Sequence, residues 1–100
     1  MRTSAMRIIK RAALVRFWSQ HPDAKGNLGA WYGVVCKAKW TTPIEMKQVY
    51  ANADLVGRRT VFNIVGNRYR LIAGVNYVSQ TVFVLHMLTH SDYGEGAWKS

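Results

Sequence analysis

VFNIVGNRYRLI, residues 61–72, decides the fold. Two apolar runs meet at Gly66-Asn67, residue types that tolerate positive φ, so the stretch reads as a β-hairpin with a two-residue turn. The period of 2 sets Tyr69, Leu71, Ala73, Val75 and Tyr77 on one face of the return strand and Arg68 and Arg70 on the other. With that turn, Val65 faces Arg68, Asn63 faces Arg70 and Val61 faces Ile72. Asn63, Arg68 and Arg70 then share a face, and Phe62, Ile64 and Leu71 take the opposite one.

Outward from the hairpin, the period of 2 starts at Arg58 and predicts strands at about 58–65, 68–77 and 81–88, with a second turn near Ser79-Gln80. These form an antiparallel meander. Carried through the second turn, the same alternation puts Phe83, Leu85 and Met87 on the arginine face and Val82, Val84, His86 and Leu88 on the core face. Toward the N-terminus, Met6 to Ile9 reads as a short edge strand. Leu14, Phe17 and Trp18 recur at helical spacing until Pro22 forbids continuation. Asp23 is placed to cap a second helix bearing Leu28, Trp31, Tyr32 and Val35, and the two helices pair as a hairpin. Thr42, Pro43 and Glu45 spell a capping box with proline at the first helical position, opening a third helix through about Tyr50. The expected fold is α+β: an N-terminal helical hairpin packed on a small antiparallel β-sheet. A single domain spans 1–100, with residues 1–5 a loose extension and 94–100 a tail.

The chain has 100 residues and is 49% hydrophobic, enough for one core. Its 14 Lys+Arg stand against 5 Asp+Glu, a formal charge of +9, which favours an anionic partner such as nucleic acid, an acidic protein or a membrane surface. Solubility alone is the plainer reading of such an excess. The single cysteine, Cys36, makes no internal disulfide and fits a reducing compartment, the cytoplasm. The longest apolar runs, 71–78 and 82–88, fall short of the ~20 residues a membrane helix needs, so no membrane association by a span is expected. MRTSAMRIIKRAALVRF is basic like a transit peptide, but charges break its apolar stretches and it leads straight into patterned structure, so it reads as part of the fold, with Met6 an alternative start.

A guanidinium in mid-strand needs an anion or open solvent, and no acid occurs between Asp54 and Asp92, so Arg70 suits phosphate oxygens; an intramolecular ion pair is the plainer alternative. Arg68, beside the turn, fits phosphate contact or simple solvation. LTHSDYG, residues 88–94, ends the last strand with His90, Asp92 and Tyr93 close together. The imidazole there either moves protons or caps the strand end, and the phenol orients a substrate or stacks on a base. His86 and His90 lie about 13 Å apart along a strand, too far to share a metal, and no cysteine or carboxylate completes a set. Cys36 has no adjacent histidine to activate it, and neither GxxxxGK[ST] nor GxGxxG occurs. No metal and no cofactor is expected. Lys37, Lys39 and Lys47, with Arg11 and Arg16, read as solvated faces that add to the positive field, with nucleic-acid backbone contact a secondary use.

HPDAKGNLGAWY, the W-x-x-P of residues 40–43, VFNIVGNRYRLI and THSDY occur in an order and spacing that resemble the HigB-type toxins of bacterial toxin-antitoxin modules, from about Met6 to Tyr93. The resemblance implies the RelE-like fold and a metal-independent endoribonuclease that cuts messenger RNA on translating ribosomes, with a cognate helix-turn-helix antitoxin as partner. The family's GNKYRLI falls on Gly66 to Ile72, implying Arg70 as the residue that stabilises charge on phosphate, with Arg68 assisting. Its THxEYD falls on Thr89 to Gly94, implying His90 as acid or base and Tyr93 as a nucleotide-positioning or proton-sharing group. Asp92 replaces the usual Glu and Gly94 the usual Asp. RNA contacts are expected at Arg68, Asn63, Lys37 and Lys39, and the basic helices are expected to dock on ribosomal RNA. The family's last strand usually carries a basic residue four or five places before the histidine, where this chain reads Leu85-His86. In the register above Leu85 lies near Arg70, so a phosphate-stabilising cation is missing and a weakened activity is expected. Two alternatives share the fold: a gyrase-inhibiting toxin, and a non-catalytic module that binds RNA or the antitoxin.

Overall fold

The computed structural model describes residues 6–66 and 68–95; the expected extension 1–5, Asn67 of the turn and residues 96–100 of the expected tail lie outside them. Along the chain run β1 (Arg7–Ile9), α1 (Arg11–Gln20), a 3-10 turn (Pro22–Ala24), α2 (Lys25–Lys37), α3 (Pro43–Val49), β2 (Asp54–Val56), β3 (Arg59–Ile64), β4 (Tyr69–Asn76), β5 (Thr81–Thr89) and α4 (His90–Glu95). The five strands form one sheet in the order β1-β5-β4-β3-β2. It is an α+β fold, but the sheet is mixed rather than purely antiparallel, because β1 pairs with β5 in parallel. The helices between β1 and the meander supply the long crossover that a parallel pair needs. Backbone bonds from Met6 to the Ala38 carbonyl and from Arg7 to that of Gln80 seat β1.

Leu14 of α1, Leu28, Trp31 and Val35 of α2, and Met46 of α3 bury their side chains against Phe62, Ile64, Tyr69, Leu71, Ala73, Val82 and Val84 of the sheet. This is the inner face. Trp31 and Tyr50 meet the Phe62 ring edge-on at centroid distances of 5.4 and 5.3 Å. α3 begins as the capping box requires, with Thr42 Oγ1 accepting the Glu45 N–H at 3.3 Å. The Glu45 carboxylate reaches back one residue further than the motif predicts, to the N–H of Thr41 at 2.6 Å. That hydrogen bond, the largest cause, holds the Glu45 carboxyl below its ordinary range.

The β3–β4 register matches the sequence reading, with Asn63 opposite Arg70 and Val61 opposite Ile72. Four features differ. β2 is an additional strand, too short to show a period, turned back on β3 through Gly57 at φ +62. In the β3–β4 loop the left-handed residues include Val65 as well as Gly66. Asp23 does not cap α2: it lies in the 3-10 turn, and α2 starts from Ala24 without a side-chain cap. Finally, a β-bulge interrupts β4–β5. Ile72 pairs with His86 but Ala73 pairs with Val84, leaving Leu85 as the extra residue. Beyond the bulge the parity of β5 inverts, so Met87 joins the inner core and Leu88 the outer face, the reverse of the uninterrupted alternation.

Candidate active site

The outer face of the sheet is partly roofed. Val61 and Ile72 are buried there together, covered by Val56, Leu88 and Tyr93. Tyr93 reaches them because the chain after β5 folds into α4. Thr89 Oγ1 accepts the Asp92 N–H at 3.2 Å, an N-cap interaction, and the His90 N–H donates to the Arg68 carbonyl at 3.0 Å, which fastens the helix start to the β3–β4 hairpin.

Arg70 stands near the start of β4 on this face, between Asn63 of β3 and Leu88 of β5. It is 9% exposed, and so lies under α4 rather than on an open floor as the strand parity alone suggested. Its Cζ sits 5.1 Å from the centre of the Tyr93 ring, one Nη donates to the Tyr69 carbonyl at 3.3 Å, and the other lies 3.4 Å from His90 Nδ1. A guanidinium only donates, so in this contact Nδ1 accepts and the proton of a neutral imidazole resides on Nε2. The structure therefore brings Arg70, His90 and Tyr93 into one cluster, with the His90 ring exposed. Such a group offers charge for an anion, a nitrogen that exchanges protons and an aromatic surface.

Other predicted residues go elsewhere. Arg68 turns toward the helices and pairs with Asp23 at 2.7 Å, and Tyr69 donates its hydroxyl to the same carboxylate at 2.7 Å. It therefore does not share Arg70's surroundings. The acid that engages it is 45 positions away, beyond the span in which the sequence shows none. The Tyr69 hydrogen bond and then the Arg68 contact hold the Asp23 carboxyl below its ordinary range, while Asp23 pushes the Tyr69 phenol up. His21 stacks on Phe17 at 4.3 Å and leans on Tyr69 at 5.2 Å, completing a clamp between the helical hairpin and the β3–β4 loop. Asn63 neighbours Arg70 but directs its amide to the Asn52 carbonyl at 3.5 Å. There it borders a cleft of about 380 Å³ lined also by Val49, Tyr50, Phe62 and Gly66.

Lys37 and Lys39 are exposed at the far end of the sheet, where the Trp40 carbonyl accepts from the Gln80 side chain in the β4–β5 turn. Arg70 and Asn76 bracket six residue steps of β4, roughly 20 Å at strand rise, so these lysines do not join the cluster. Leu85 packs beside Gly74, with its Cδ1 3.7 Å from where a Cβ on Gly74 would stand, and not beside Arg70. Among the described residues no three of His, Cys, Asp and Glu gather as a metal site requires, and no helix is long and apolar enough to cross a membrane.

Comparison with known proteins points in one direction. The family model for HigB toxins, the RelE-like toxic component of a toxin-antitoxin system, matches residues 24–96. The mRNA interferase HigB of Escherichia coli O6:H1 is 31% identical over 91 residues, covering 88% of this chain and 88% of the relative. The mRNA interferase toxin HigB of Escherichia coli K12 and the mRNA interferase HigB of Shigella flexneri are each 29% identical over 91 residues, with the same coverage.

Proposed function

The chain belongs to the HigB family of RelE-like toxins of toxin-antitoxin systems, and we propose that it is an endoribonuclease that cuts messenger RNA on the ribosome and so stops translation. The convergence of Arg70, His90 and Tyr93 carries this reading. Relatives named mRNA interferases support it, as does a charge of +9. The ribose 2′-oxygen attacks the adjacent phosphorus, the bond to the 5′-oxygen breaks, and a cyclic phosphate and a free 5′-hydroxyl result. Arg70 turns its N–H groups to the phosphate and stabilises the charge that builds there. Doing so releases His90 Nδ1, which accepts the 2′-hydroxyl proton. Tyr93 supplies a proton to the leaving oxygen and a ring against which the nucleotide is placed. These side chains carry the reaction without a metal or cofactor.

The protein acts in the cytoplasm and is neutralised by a cognate helix-turn-helix antitoxin. The ribosome orients the message over a cluster that is small and half-roofed, and exposed cations such as Lys37 and Lys39 dock on ribosomal RNA. Arg68, with a side chain 63% exposed despite its Asp23 contact, adds to the same field. The test is cleavage of a defined message on purified ribosomes, with product ends identified chemically. The expected products carry 2′,3′-cyclic phosphate and 5′-hydroxyl ends, and the same message free of ribosomes stays largely intact. Intact message on the ribosome, with gyrase-linked DNA breaks in cells producing the protein, would replace this reading with gyrase inhibition.

A further inference from the structure

The bulge at Leu85 has a chemical result. Without it, His86 would share parity with Val82 and Val84 and enter the inner core; with it, His86 pairs with Ile72 on the outer face and is exposed. Ile72 is two residues from Arg70 on β4, so His86 is the diagonal neighbour of Arg70 across the β4–β5 pair, at about 7–8 Å. Bulges re-aim side chains in this way beside functional sites. Cations stand on two sides of His86, and α4, over the same face, carries the exposed Asp92. On the same face Arg59 pairs with Gly74, the next outward-facing residue after Ile72. The acid in His86's own row is Asp54, opposite Val61 on the edge strand β2; it is three strands away, about 14 Å. His90, Tyr93 and Arg70 flank the other side. Next to His86 lies a flat apolar patch, in which Gly74 has no side chain and Phe83 and Leu85 are 43% and 42% exposed.

We propose that His86 forms a second phosphate subsite, which holds the backbone of single-stranded RNA one nucleotide away from the bond that breaks, with a base resting on Phe83 and Leu85. This rests on the ribonuclease reading. The bulge turns Leu85 toward Gly74 and delivers the next residue, His86, to the same track as Arg70. The imidazole N–H serves as donor, and an aromatic beside it is the platform that single-stranded recognition uses.

The experiment compares the parent with His86→Ala and His86→Arg on ribosomes programmed with a defined message. Cleavage is measured against protein concentration, and binding is measured in parallel to ribosomes carrying a message with a 2′-deoxy residue at the cut site. His86→Ala should raise the half-saturating concentration roughly two- to fivefold, the effect of one lost exposed contact. The saturating single-turnover rate should hold, and His86→Arg should recover the affinity. Both variants alter an exposed side chain, and a thermal melt checks that they fold. Unchanged affinity in His86→Ala, a loss confined to the saturating rate, or an arginine no better than alanine overturns the subsite. If the parent itself fails to cut, the ribonuclease reading falls, and the binding arm still decides whether His86 holds RNA.

Discussion

A guanidinium that is 9% exposed and lies over the Tyr93 ring both packs and carries charge, so Arg70→Ala removes two things at once. The rate of cutting on the ribosome should fall by roughly 10², the scale set by loss of one group that meets transition-state charge. Stability should fall by about 1–3 kcal/mol because a buried contact is lost as well, more than an exposed strand arginine would cost. Arg70→Lys separates the two. It keeps the charge and much of the packing but loses the planar fork, so it should melt closer to the parent while still cutting at least tenfold more slowly, on the same principle. Single-turnover cleavage beside urea unfolding measures both, and a lysine variant as fast as the parent would mean that a point charge suffices. Arg70's face was legible from strand parity, and the closeness of His90 and Tyr93 to one another from a short motif. Its burial was not, because the roof is made by a helix 20 or more positions further on.

That roof is α4, only six residues long, and a helix so short depends on its cap and on what it packs against. Thr89→Ala removes the oxygen that accepts the Asp92 N–H and should cost about 1 kcal/mol. Fraying of α4 moves His90 and Tyr93 together, so activity should drop further than the melting temperature suggests. Faster hydrogen exchange confined to α4 amides would show it, and unaltered exchange there would dissociate the cap from the site. The Asp23 clamp acts at the opposite side of the same hairpin. Its carboxyl is held below the ordinary value of 3.8 chiefly by Tyr69, so the charged form favours the folded state. That contribution is fully present above 3.8 and is lost as pH falls through the lowered folded value. Asp23→Asn should therefore be less stable than the parent near neutrality and converge with it in acid, as denaturant titrations at several pH values would record; a constant gap would remove Asp23 from the acid transition. Several of these elements left little trace in the sequence. Thr89-His90-Ser91-Asp92 does spell an N-cap signal for α4, but a strand-length alternation runs straight into it. Asp54–Val56 is too short to show any period. The bulge is invisible to alternation because both registers bury valines at 82 and 84 and diverge only from residue 86 onward.

At the scale of the whole molecule, cations among the described residues stand at both ends of the sheet rather than gathering at the Arg70 cluster. Arg70 lies at the end closed by α4, while Lys37 and Lys39 follow α2 to the end closed by the Gln80 turn. Two separated basic regions on one small body suit a ligand much larger than a nucleotide. A polyanion contacted by several cations releases counterions on binding, so affinity for ribosomes should fall steeply and log-linearly with salt, by about 0.7–0.9 of a unit in slope for each phosphate neutralised. Replacing Lys37 and Lys39 with Gln should flatten that slope by about 1–2 units on the same rule and weaken binding most at low salt. His86→Ala, nearer the α4 end, should flatten it by less than the double replacement, since it removes one contact rather than two. Sedimentation of labelled protein with ribosomes across a salt series reads all three slopes. If the Lys37/Lys39 replacement leaves the slope where it was, the Gln80 end of the sheet faces solvent in the complex, and the contact with ribosomal RNA is made around the α4 end alone.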